Sequence, residues 1–133
     1  MKLSKGQERL VRYVAACLLK QGKYSIDAAG RCVYRSTDGT SKCGIGHLIP
    51  DTYYRSSMES YSAGAITRTG PLSEHIVGKY GSDAVNYTFL DAVQCLLHDD
   101  RVRPPVSIPM LIPDDAVKVV REFMENCSIS ELE

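Results

Sequence analysis

Two cysteine–histidine pairs, Cys43-x3-His47 and Cys95-x2-His98, together supply two sulfurs and two imidazoles, the ligand set of a structural zinc. Cys95 and His98 stand three apart, so on a helix they share a face. Cys43 and His47 are less well placed, because four residues of straight strand span about 13 Å, too far for one ion. A bulge at Gly44 or Gly46, which flank Ile45, shortens that distance. The plainer expectation is two buried thiols and two hydrogen-bonded histidines, since the spacing is not that of paired zinc knuckles. The chain is therefore expected to need no cofactor, with zinc at these four residues as the alternative.

A second constellation is Tyr87, Asp91, Gln94, Cys95 and His98, which fall on one side of a helix, with Asp99 following. A neutral histidine beside carboxylates can act as a general base near neutral pH. The structural alternative is a helix C-terminus at which His98 caps carbonyls and complements the dipole. Cys32 and Cys43 form a third, since Arg31, Arg35 and Lys42 would stabilise a thiolate at either. No histidine is placed to serve as partner except His47 on the same segment, so structural cysteines are expected there. Anion binding is the fourth. Arg31, Tyr34, Arg35 and Lys42 cluster in sequence, and Arg12 and Lys20 lie on the first amphipathic segment. If those faces adjoin, they make a basic patch with a tyrosine for stacking, suited to phosphate or a nucleotide. Neither G-x-x-x-x-G-K-[ST] nor G-x-G-x-x-G occurs, so no standard phosphate loop supports it.

These groups depend on the elements that hold them. Ser4 as cap and Gly22 as stop frame a helix over residues 5–21, with Leu3, Leu10, Val14, Cys17 and Leu18 as its apolar stripe. Lys5, Arg9, Arg12 and Lys20 form its basic outer face. Asp38-Gly39 between two short runs predicts a β-hairpin with strands at 31–35 and 42–48. Pro50-Asp51 predicts a short helix through Met58, capped by Asp51, and residues 59–70 read as a mobile loop. Short and long helices follow over 72–79 and 83–98, the latter central, with Val85, Phe89, Ala92 and Leu96 as its stripe. Residues 101–113 carry four of the six prolines and fit an extended edge segment, a third strand beside the hairpin. Asp114 and Asp115 open a last helix with Ala116, Val120, Phe123 and Cys127 inside. The expected fold is α+β: a single small domain over residues 1–133 with an N-terminal helix, a β-hairpin extendable to a three-stranded antiparallel sheet, and three to four further helices. Leu10, Val14, Leu18, Ile45, Phe89, Val93, Leu96, Val120 and Phe123 are its expected core.

Composition narrows function. The chain has 133 residues, 44% hydrophobic, with 16 basic and 16 acidic side chains, enough for one core and too balanced for coating nucleic acid. No apolar run approaches the roughly 20 residues that span a bilayer, and no secretory h-region follows Met1. The five cysteines are odd in number, which favours reduced thiols in a cytoplasm. The zero net charge conceals a division: residues 1–68 hold 11 Lys/Arg and 5 Asp/Glu, residues 69–133 the reverse. That polarity permits self-association, basic surface against acidic. Eight tyrosines against two phenylalanines and no tryptophan, with Tyr53, Tyr54, Tyr61 and Tyr80 around the short segments, favour amphipathic contact surface.

The run Cys32-Val-Tyr-Arg, then Asp-Gly-Thr-Ser-Lys-Cys-Gly-Ile-Gly-His-Leu-Ile-Pro-Asp51, resembles a stretch of small phage and prophage accessory proteins. Their pattern is C-x-Y-R, a glycine turn, then K-C-A-[IV]-G-x-L-I-P-D. Leu90, Gln94 and His98-Asp99 are similar to their L-x3-Q-x3-H-D helix. Gly44 departs from the pattern's alanine, and position 47 varies. The resemblance covers residues 24–56 and 87–100 and implies phage or prophage origin and expression in host bacterial cytoplasm. The family has no settled activity to carry over. His98-Asp99 also resembles the dipeptide of HD-superfamily metal-dependent phosphohydrolases, which implies further His and Asp ligands on other helices.

Three functions follow as expectations. A non-enzymatic inhibitor would bind a host bacterial defence protein through a tyrosine-rich or charge-polarised face. An oligomeric sponge would sequester a signalling nucleotide at the basic hairpin. A zinc protein or phosphohydrolase would be built on Cys43, Cys95, His98 and Asp99. With no convincing catalytic constellation, the inhibitor is the leading reading, by analogy with phage proteins that counter host defences.

Overall fold

Ser4 and Gln7 set the start of the first helix, α1 (Lys5–Gln21). The Gln7 N–H donates to Ser4 Oγ at 3.1 Å and the Ser4 N–H to Gln7 Oε1 at 2.9 Å, so two otherwise orphaned donors are satisfied reciprocally. Gly22, in the left-handed region at φ 74°, ends the helix and donates to the Leu18 carbonyl at 2.9 Å. Of the expected stripe Leu3, Leu10, Val14 and Leu18 are buried, joined by Val11 and Ala15, whereas Cys17 is only half-buried. The computed structural model describes residues 3–22, 33–36, 41–68, 70–97 and 112–132.

Four further helices follow: α2 (Ala63–Thr67), α3 (Gly70–Tyr80), α4 (Tyr87–Leu97) and α5 (Pro113–Leu132). Short 3-10 turns fill Ile45–Leu48, Ser56–Ser60 and Ser82–Ala84. Helix α1 packs on α5 and α3, and α4 packs on α2 and α5. Arg12 of α1 reaches Asp114 at the start of α5, while Met124, further along α5, lines the same cleft as Ser4 and Gln7. Helices α1 and α5 therefore run antiparallel. The core lies where α5 packs against both α1 and α4: Leu10, Val14, Phe89, Leu90, Val93, Val117 and Val120 are all almost fully buried.

The α+β expectation is overturned. The described residues are mostly helical and contain no strand or sheet; Arg35 and Lys42 meet in one isolated antiparallel bridge. The segment 42–48, expected as a strand, instead turns through Ile45–Leu48. Its burial pattern gives the reason. Cys43, Gly44, Ile45, Gly46, Leu48 and Ile49 are all buried, so residues of both parities enter the core. A strand with one solvated face cannot do that, whereas a tight helical turn can. Gly46 is required at this fold-over, because a Cβ there would lie 2.2 Å from the Tyr34 carbonyl oxygen. The Asp38-Gly39 turn and residues 101–111 of the expected third strand lie outside the described residues, and Ile112-Pro113 lead into α5.

Four more expectations differ from the structure. Residues 59–70, read as a loop, contain the end of a 3-10 turn and the whole of α2, capped by Ser62 Oγ, which accepts from the Ala65 N–H at 3.2 Å. Their small residues are an approach surface: Ala63 and Gly64 are buried where α2 packs on α4. The helix expected from Asp51 through Met58 is broken by extended backbone at Arg55 (φ −136°, ψ 139°). Helix α4 also begins later than expected, at Tyr87, where Asn86 Oδ1 accepts from the Phe89 N–H at 2.9 Å. Of the expected core, Leu10, Val14, Leu18, Ile45, Phe89, Val93 and Val120 are buried. Phe123 is 38% exposed because Ala116, Val117, Val120 and Met124 form the inner row of α5. The side chain of Leu96 lies outside the described residues.

Candidate functional site

Residues 33–36 carry Tyr34 and Arg35 across to Lys42, and a single carboxylate fixes them. Glu59 Oε1 accepts from the Tyr34 N–H at 2.8 Å, and its Oε2 accepts from the Arg35 N–H at 3.1 Å and the Tyr54 hydroxyl at 2.7 Å. Burial, helped by that bond to Glu59, pushes the Tyr54 phenol up to about 12. The Arg35 guanidinium lies over the Tyr54 ring, 4.6 Å from its centroid. Its Nη2 donates to the Ile49 carbonyl at 3.1 Å and meets Asp51 Oδ1 at 2.6 Å. Lys42 Nζ approaches the same Asp51 oxygen at 3.8 Å. Gln21, at the end of α1, holds the Lys42 backbone from both sides: its Oε1 accepts from the Lys42 N–H at 2.8 Å and its Nε2 donates to the Lys42 carbonyl at 2.9 Å.

Arg35 and Lys42 are thus brought together, but Tyr34 is not the stacking surface expected of it: its ring is buried and its hydroxyl donates to the Tyr61 carbonyl at 2.7 Å. Arg12 is not with them; its Nε pairs with Asp114 Oδ1 at 3.2 Å on the α1–α5 seam. Arg31 and Cys32 lie outside the described residues. Asp51, Tyr54 and Glu59 were missed as members of this cluster. The sequence marks Asp51 as a helix cap and Tyr54 as contact surface, with nothing to tie either to Arg35. Nothing in the local spacing links Glu59 to Tyr34 and Arg35, which it reaches by folding of the intervening chain.

The polar face of α4 turns out to hold its neighbours. Asp91 Oδ1 accepts from the Gly64 N–H at 3.1 Å, in the first turn of α2. Gln94 Oε1 accepts from the Ile45 N–H at 3.0 Å, at the start of the Ile45–Leu48 turn. The Tyr87 hydroxyl lies 3.3 Å from Ser62 Oγ. Its ring rests on Gly64, where an added Cβ would come within 2.3 Å of Tyr87 Cδ2, yet Tyr87 is 55% exposed. Tyr61, next to Ser62, is 62% exposed, and its carbonyl accepts the Tyr34 hydroxyl at 2.7 Å. His98, Asp99 and the Cys95 side chain lie outside the described residues. Of the expected metal ligands, Cys43 is buried and His47 half-buried. Among the described residues no three His, Cys, Asp or Glu side chains come together to hold a metal.

On α1, Arg9 lies over the Tyr80 ring at 5.9 Å and Tyr13 bonds Cys17; that bond, then burial, raises the Tyr13 phenol. A cleft of about 400 Å³ opens between the start of α1 and the start of α4, lined by Ser4, Gln7, Ser82, Asp83, Asn86 and Met124. Gln7 is committed there, donating to the Asp83 carbonyl at 2.8 Å. No helix among the described residues is long and apolar enough to cross a membrane. No protein-family model, curated protein or solved structure matches the chain.

Proposed function

We propose that this chain is a small non-enzymatic phage accessory protein that binds and inhibits a protein of a bacterial host's defence, using the face that carries Tyr61 and Tyr87. The observation that carries this reading is the fixed exposure of Tyr87. Its ring is backed by Gly64 and its hydroxyl is engaged by Ser62, while 55% of the residue faces solvent. A tyrosine held in one position loses little conformational freedom on binding and offers a broad apolar surface with a polar rim. Tyr61 beside it is anchored through its backbone by Tyr34. The phage origin and the host partner rest on the resemblance of Cys32–Asp51 to small phage accessory proteins.

Affinity capture from a bacterial lysate tests this. The wild-type chain is expected to retain one dominant host protein, Tyr87→Phe to keep it, and Tyr61→Ala with Tyr87→Ala to lose it by at least tenfold, as loss of two central aromatic anchors does. Reproducible capture of nothing by the wild type, or undiminished capture by the double variant, overturns the reading.

A further inference from the structure

We propose that Arg35 and Lys42 form a clamp for a phosphoryl group, and that Asp51 occupies that clamp as an exchangeable internal carboxylate. Two cations converge on one oxygen: Asp51 Oδ1 lies 2.6 Å from Arg35 Nη2 and 3.8 Å from Lys42 Nζ. The cations are built in. Only 18% of the Arg35 side chain is exposed; it is stacked on Tyr54 and tied to the Ile49 carbonyl. Its backbone N–H is held by Glu59. The Lys42 backbone is locked by Gln21 and by the bridge to Arg35.

The carboxylate between them is the loose member. The Asp51 side chain is 82% exposed, and an ion pair that open to water contributes little. The Arg35 Nε is buried and has no hydrogen-bond partner, so the fold itself leaves the guanidinium incompletely satisfied. A phosphoryl group carries more charge than one carboxylate and presents three oxygens, enough to engage a guanidinium and an ammonium together. Glu59 is the other carboxylate at the cluster, and it tempers the field. Both its oxygens are already committed to the Tyr34 and Arg35 N–H groups and the Tyr54 hydroxyl. With Asp51 displaced, two positive charges face one negative, and the balance favours an incoming anion. This inference stands apart from the Tyr61 and Tyr87 face.

The test is a titration of the full chain with inorganic phosphate, pyrophosphate and ADP at fixed ionic strength in chloride, read by calorimetry and by backbone amide shifts at 35 and 42. Asp51→Asn is the informative variant, because removing a tethered competitor should tighten binding, about threefold to fivefold for an exposed pair. Lys42→Gln should weaken it at least threefold and Arg35→Lys abolish the shift at 35, while thermal unfolding confirms that each variant is folded. ADP binding tighter than pyrophosphate identifies a nucleotide as the source of the phosphoryl group, and equal binding identifies the phosphoryl group alone. Binding to Asp51→Asn no tighter than to wild type, or no binding of any probe to either protein, overturns the proposal.

Discussion

Gly6→Ala sets two effects of known size against each other. Gly6 stands in the first turn of α1, and alanine normally stabilises a helix by up to about 1 kcal/mol over glycine, less near its end. The added Cβ, however, would lie 1.7 Å from the Tyr80 carbonyl oxygen, which is backbone and cannot rotate away. Relief requires α1 to move off the end of α3 by more than 1 Å, since an ordinary contact begins near 3.4 Å. That movement stretches the Gln7–Asp83 bond from 2.8 Å and the Arg9–Lys79 bond from 2.9 Å beyond useful length. Losing both, with Gln7 left buried and incompletely satisfied, costs about 3 kcal/mol. After the helix gain, the net destabilisation is about 2 kcal/mol. At about 2.1 cal/mol/K of unfolding entropy per residue, that lowers Tm by about 7 °C for a chain of this length. Gly78→Ala is the internal control: Gly78 lies within α3 and an added Cβ meets nothing within 4 Å, so only the helix gain remains. Thermal unfolding followed by far-ultraviolet circular dichroism should show Tm falling for the first variant and rising for the second. If both rise, the close approach of α1 to Tyr80 is not a constraint and the reasoning fails.

Two further outcomes follow from the same contacts. Gln94→Leu strands the Ile45 N–H, which now donates to Gln94 Oε1 at 3.0 Å, and should cost about 1–3 kcal/mol. Urea unfolding checks it as a lower midpoint with unchanged slope; an unchanged midpoint means the bond adds nothing. Tyr54 should titrate near 12, and because its folded value lies above the ordinary 10, its contribution is complete below pH 10 and is lost as pH climbs from 10 to 12. Tyr54→Phe should therefore fall less steeply in stability across that window, although Tyr13 and Tyr80, raised in the same direction, leave part of the slope in place. Phenolate absorbance and unfolding measured at stepped pH decide it.

What could be read from the sequence was what is decided locally. Helix α1 is specified within itself by the Ser4–Gln7 box, the Leu10, Val14 and Leu18 stripe, and the Gly22 stop, so its bounds and buried face were legible. In α4 and α5, Phe89, Ala92, Ala116 and Val120 were legible for the same reason; Val85 lies before α4 and is only partly buried, and Phe123 is exposed because Met124 and Phe123 both fit a helical stripe and only packing against α1 separates them. Between residues 33 and 61 the rules are non-local. The Ile45 N–H is satisfied 49 residues away by Gln94, the Lys42 N–H 21 residues away by Gln21, and the Tyr34 N–H 25 residues away by Glu59. No propensity or spacing encodes such bonds. The hairpin reading failed there because Gly44, Ile45 and Gly46 mimic a bulged strand in sequence, while the close approach of Gly46 to Tyr34 folds the same residues into a turn.

Those distant bonds also explain why so many residues that could do chemistry are engaged in holding the fold. A long helix satisfies most of its own backbone, but a helix of one turn satisfies little of it, since the first four N–H groups have no partner inside. This chain contains α2 of five residues and 3-10 turns of three to five. In α2 and Ile45–Leu48, whose residues enter the core, orphan donors are met by side chains from elsewhere. Asp91 serves the first turn of α2, Gln94 serves Ile45–Leu48, and Glu59 serves the bridge segment at Tyr34 and Arg35. The polar face of α4, read as a site for general-base chemistry, is in this part a row of such caps. The same logic singles out Asp51. It caps no buried N–H in the turn it occupies, it stands 82% exposed, and its nearest charged partners are two cations fixed by other residues. A carboxylate the backbone does not need, set between a stacked arginine and a locked lysine, is where this fold leaves charge recognition open to exchange.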